Sequence, residues 1–159
     1  MFKRIIFLFV FLLLCLGLIG DQMESENNDT RASADGPIIF NDNLIGGLPG
    51  SFGGDDPFPQ DYWRFSALAD KTYTFTSIAE NCNQIISPLD LALDIENTSG
   101  AILATKDSFG NCDPETLYWD CPSTGTYYLV VWEATGWPEP ISWYVVHCKM
   151  EMPTSWELY

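Results

Sequence analysis

The chain has 159 residues, 22 of them acidic and 7 basic, for a formal net charge of −15. That balance excludes nucleic acid and anionic membrane surfaces as natural partners, while leaving cations and basic protein surfaces open. A single histidine and five cysteines restrict the chemistry further.

Residues 1–20 read as a secretory signal peptide. Lys3 and Arg4 form a positive start, Ile5 to Gly20 is unbroken apolar sequence, and Asp21, Glu24 and Glu26 follow at once. The apolar run falls short of the ~20 residues a membrane-spanning helix needs. Cleavage is expected after Gly20, with Gly17 as the second choice. A lipid anchor on Cys15 is the alternative, although Leu12-Leu13-Leu14 stand where lipoprotein processing wants a small residue. Without Lys3 and Arg4, five basic residues face 22 acidic ones, so the exported chain carries a charge near −17.

Residues 21–35 are polar, with Met23 their one large aliphatic side chain, and read as a disordered spacer. Residues 36–148 form the predicted domain, and 149–159 a tail. Ile38-Ile39-Phe40 and Leu44-Ile45 suggest an edge strand, followed by a Gly- and Pro-rich loop from Gly46 to Pro59. From Asp61 the pattern has a period of two. Trp63, Phe65 and Ala67 alternate with polar or aromatic neighbours. Tyr73 and Phe75 alternate with Thr72, Thr74 and Thr76. Leu89, Leu91, Leu93 and Ile95 alternate with Asp90, Ala92, Asp94 and Glu96, which predicts one buried and one wet face. Further strands are predicted at 101–106, 115–119, 126–133 and 141–148, separated by turns such as Asn97-Thr98-Ser99-Gly100 and Pro122-Ser123-Thr124-Gly125. No amphipathic helix of useful length appears. The expectation is an all-β, antiparallel sandwich of about seven or eight strands.

Cys82, Cys112, Cys121 and Cys148 remain after the signal peptide, and an even number in an exported chain reads as disulfides. Zinc is disfavoured by the absence of a CxxC pair and by the lone His147. Alternating strand directions place Cys82 and Cys112 at one end of the sandwich and Cys121 and Cys148 at the other. The expected bridges are therefore Cys82–Cys112 and Cys121–Cys148.

Five segments carry a family resemblance: Asp61-Tyr62-Trp63-Arg64-Phe65, Leu89-Asp90-Leu91-Ala92-Leu93, Gly100-Ala101-Ile102-Leu103-Ala104, Gly125-Thr126-Tyr127-Tyr128-Leu129-Val130-Val131 and Tyr144-Val145-Val146. In this order, over residues 40–148, they resemble the bacterial and archaeal pre-peptidase C-terminal domain, which is related to the collagen-binding modules of collagenases. The resemblance implies a jelly-roll-like β-sandwich that is non-catalytic, accompanies exported enzymes and, in the collagenase modules, binds calcium. No catalytic domain is expected before the module, and Asp70-Lys71 stand where the family often has glycine.

The residues themselves offer no catalytic set. His147 has no evident nucleophile to serve, and no HExxH is present. Calcium would have to be held by oxygens from several loops at one end, for which Asp55, Asp56, Asp61, Asp107 and Asp113 are the candidates. Trp137, between Gly136 and Pro138, is the candidate for anchoring a peptide or a sugar. Asn28 and Asn97 begin N-x-[ST] sequons. The expected function is a non-catalytic exported binding or accessory module for a protein, peptide or polysaccharide. The alternative is a structural or adhesive surface protein, lipid-anchored through Cys15.

Overall fold

The computed structural model describes residues 20–25, 28–48, 60–80, 89–108, 110, 112–134 and 142–151. Within them the chain is all-β. The nine strands are β1 (Asp21–Met23), β2 (Asn43–Leu48), β3 (Gln60–Ala67), β4 (Thr72–Ala79), β5 (Leu91–Asn97), β6 (Ile102–Lys106), β7 (Glu115–Asp120), β8 (Gly125–Glu133) and β9 (Ser142–Glu151). They form a five-stranded sheet in the order β1-β2-β9-β4-β7 and a four-stranded sheet in the order β3-β8-β5-β6. All pairs are antiparallel except β1 with β2.

Period-two sequence sends alternate side chains into the space between the sheets. Leu44, Leu48, Tyr73, Phe75, Leu117, Trp119, Tyr144 and Val146 enter from one sheet. Trp63, Phe65, Leu91, Leu93, Ile95, Tyr127, Leu129 and Val131 enter from the other. Phe65 is the hub of an aromatic cluster, with ring centroids 5.4 Å from Phe75, 5.9 Å from Phe40 and 6.0 Å from Trp119. At these separations tilted and edge-on rings add about 0.5–1.5 kcal/mol per pair beyond area burial.

The segment expected to be a disordered spacer is ordered wherever it is described. Its anchors are polar, which is why composition concealed them. Glu24 N–H donates to the Ile45 carbonyl. Gln22 bonds both Pro37 O and Ile39 N–H. Ser25 donates to both carboxylate oxygens of Asp35. Farther along, Asn28 O, Asp35 N–H and O, and Ile38 N–H bond to Tyr62 and Arg64, covering the outer edge of β3. Arg31 then reaches across the four-stranded sheet to Glu96, at 2.6 Å. This overlay, together with the neighbouring strands, explains why the acidic face of β5 is not wet: Asp94 and Glu96 are buried. At the opposite edge of that sheet, β6 pairs with no further strand among the described residues, and Ile102 and Leu103 are exposed.

The end of the domain also shifts. β9 continues three residues past Cys148 to Glu151, into the predicted tail. Cys148 is thus mid-strand, level with Phe75 and hence with Leu117 two strands away, whereas Cys121 lies four residues beyond Leu117. The lateral and axial offsets combine to ~16 Å, against the ~7 Å a disulfide allows. The expected Cys121–Cys148 bridge is therefore not formed, and both thiols are free and buried. Cys112 is disulfide-bonded. Cys82 lies outside the described residues.

Candidate functional site

The outer face of the five-stranded sheet is built by residues that alternate with the core. Cross-strand register arranges them in rows. Asn43, His147, Thr76 and Thr116 form one row across β2, β9, β4 and β7, and Lys149, Thr74 and Tyr118 form the next. His147 Nδ1 shares a hydrogen bond with Asn43 Oδ1. The hydroxyls of Thr76 and Thr116 meet at 3.1 Å. Thr74 Oγ1 is covered and has no hydrogen-bond partner among the described residues. Tyr118 is 67% exposed. Together these side chains line an open groove of about 590 Å³, within the size range of small-ligand sites. At its rim the positive Lys149 stands with Asp42 and Glu151. The next row, Ile45, Val145 and Ile78, is apolar.

A second constellation is buried. Trp63 Nε1 donates to Tyr144 Oη at 2.9 Å, and Tyr144 donates to Asp61 Oδ2 at 2.7 Å. Glu24 accepts from Gly47 N–H and lies against Asp61. Burial first, then the neighbouring Glu24 charge, push the Asp61 carboxyl up to about 9, so that it holds its proton at neutral pH. The same burial drives the Tyr144 phenol well above its ordinary value, with the Asp61 charge adding to it. Gly46 leaves the room these groups need: a Cβ there would overlap the Tyr144 phenol and come within 2.6 Å of Glu24 Oε2.

Of the expected calcium residues, Asp61, Asp107 and Asp113 are among the described ones. Asp55 and Asp56 lie outside the described residues. Asp61 is a core-facing residue of β3 in the row of Trp63 and Phe65, 2% exposed and turned away from the rim. Asp107 and Asp113 do share one end with Asp90 and Glu115. Burial and then their charges raise the Asp90 carboxyl above its ordinary value. Among the described residues no group of three or more histidine, cysteine or acidic side chains is arranged to hold a metal ion. Trp137 lies outside the described residues. His147 lines the groove from β9. The groove residues were missed because threonine and tyrosine at alternate positions also describe any solvated strand face. The polar run Thr72, Thr74 and Thr76 was their only trace.

No family model matches the chain, and no curated protein matches it. Solved structures do. The pre-peptidase C-terminal domain of a collagenase from Bacillus anthracis superposes over 82% of this chain and 95% of its own length, with a TM-score of 0.51 and 17% identity. The fold is that of a pre-peptidase C-terminal domain. A periplasmic inhibitor of g-type lysozyme from Aeromonas hydrophila covers 83% of this chain and all of its own, with a TM-score of 0.42 and 11% identity. At such identities the likeness of the pre-peptidase C-terminal domain speaks for the architecture alone. Among the described residues no helix is long and apolar enough to cross a membrane.

Proposed function

We propose that this chain is a non-catalytic exported module that binds an extracellular ligand through the outer face of its five-stranded sheet. The groove lined by Thr76, Thr116, Tyr118 and His147 carries this reading, because it gathers polar side chains from four strands around an exposed aromatic ring. The shared fold with the pre-peptidase C-terminal domain of a collagenase supports it. The signal-like residues 1–20 support export, and amino-terminal sequencing of secreted material tests that directly. The binding test is immobilisation of the exported protein and exposure to soluble extracellular polymers, with Tyr118→Ala as the comparison. Retention by the wild type and loss in the variant is the expected result. Equal retention by both would place the ligand elsewhere.

The adhesive alternative has one observation of its own, the exposed Ile102 and Leu103 on the open edge β6. Membrane fractionation with acylation of Cys15 would favour it.

A further inference from the structure

We propose that the groove accommodates a neutral glycan, an inference that rests on the binding-module reading above and names its ligand class. Peptide recognition draws on an open sheet edge, an apolar pocket or a cluster of one charge. The groove supplies none of these. It lies on the outer face of β2, β9, β4 and β7; β7 is an edge strand, but its Thr116 and Tyr118 line the groove from the face of the sheet and not from its edge. Its floor is made of hydroxyl and amide groups, and Lys149 is accompanied by Asp42 and Glu151.

A sugar matches what is present. Every pyranose hydroxyl is both donor and acceptor, as are the hydroxyls of Thr76 and Thr116, which among the described residues bond to one another. Asn43 gives one amide N–H to Asp21 Oδ1 and its oxygen to His147, which leaves it one amide N–H for a ligand. Tyr118 offers a largely exposed ring on which the apolar C–H face of a sugar can stack, with a phenolic hydroxyl at its tip. The chain's own charge selects among sugars. A net −15, near −17 after export, repels polymers bearing uronate, sulfate or phosphate and leaves neutral or N-acetylated chains.

The experiment is titration of the exported protein with cellohexaose, xylohexaose and chitohexaose, read by isothermal calorimetry and by chemical shifts of assigned groove resonances. Gelatin-derived peptides and oligogalacturonate form the other arms. At least one neutral hexasaccharide is expected to shift Thr76, Thr116, Tyr118 and His147. Its affinity should change less than about twofold between 50 and 500 mM salt, because no charge pair is involved. Tyr118→Ala should weaken it at least about tenfold and Thr116→Val several-fold. Ile102→Ser, on the other sheet, should leave it unchanged. Tyr118 is exposed, so its truncation leaves the core intact, and a matching melting temperature verifies this. Peptide binding in the groove without glycan binding overturns the glycan inference and leaves the module reading standing. Salt-sensitive oligogalacturonate binding also overturns it. Binding of no probe in the groove overturns both.

Discussion

Replacing Asp61 with asparagine should flatten the pH dependence of stability. In the fold the Asp61 carboxyl titrates at about 9, because it is buried and faces Glu24, with Asp29 adding to the effect. In the unfolded chain it titrates near 3.9. The folded state therefore binds a proton that the unfolded state has released. The stabilisation is full below about pH 4, falls as the pH rises, and is lost on passing through about 9. The slope for one such group is ~1.4 kcal/mol per pH unit, so between pH 5 and 8 the wild type stands to lose up to ~4 kcal/mol. Because Glu24 shares the site, the proton belongs to the pair and ~4 kcal/mol is a ceiling. At ~3 °C per kcal/mol for a domain of this size, the fall in melting temperature is on the order of 10 °C. The side-chain amide of D61N keeps an oxygen for the Tyr144 hydroxyl, offers an N–H towards Glu24 and does not itself titrate. Thermal and urea unfolding at pH 5, 6.5 and 8, at constant ionic strength, make the comparison. Ordinary surface carboxylates are ionised throughout that range, so their repulsion contributes a constant. A D61N slope equal to that of the wild type would refute the buried-proton account. Asp90 and Asp94, both raised chiefly by burial, leave D61N a residual slope of the same sign.

Gly46→Ala drives a methyl into Tyr144 and Glu24. It is expected to cost about 1–3 kcal/mol, read as a lower urea midpoint. Thr74→Val removes a covered hydroxyl that lacks a partner among the described residues and should be neutral or stabilising by up to ~1 kcal/mol in the same assay. Cys121 and Cys148 are 2% and 1% exposed, and burial holds the Cys148 thiol protonated. Both should resist thiol reagents in the native protein and react after unfolding without reductant, whereas a Cys121–Cys148 bridge would leave neither reactive. Salt should stabilise the end carrying Asp90, Asp107 and Asp113 by screening. A rise in melting temperature with millimolar calcium beyond that of sodium chloride at matched ionic strength would show ligation of the cation.

The strands were legible because core positions repeat every second residue. Trp63-Phe65-Ala67 and Leu91-Leu93-Ile95 mark their faces unaided. What escaped was held by polar contacts. Gln22, Ser25 and Asp35 bind the amino-terminal segment through hydrogen bonds, a mode that hydropathy does not register. Asp61 was within reach: extending the Trp63-Phe65 alternation by two residues puts it on the core face. Its charge argued for the rim, and only the company of Tyr144 and Glu24 from other strands makes its burial tolerable. The Cys148 pairing failed on a boundary, since Lys149, Met150 and Glu151 prolong a strand whose hydrophobic signal has faded. The groove depends on which strands become neighbours, a long-range fact that no single segment encodes.

The two margins of the four-stranded sheet are unequal. On the β3 side, Asn28, Asp35 and Ile38 occupy hydrogen-bonding groups that an incoming strand would use. The β6 side has no such cover among the described residues, and it carries Ile102 and Leu103 in the open. Any growth of this sheet by addition of strands is thus one-sided. Two molecules joined back to back through β6 would each turn a sealed margin outward, and growth of this sheet would end there.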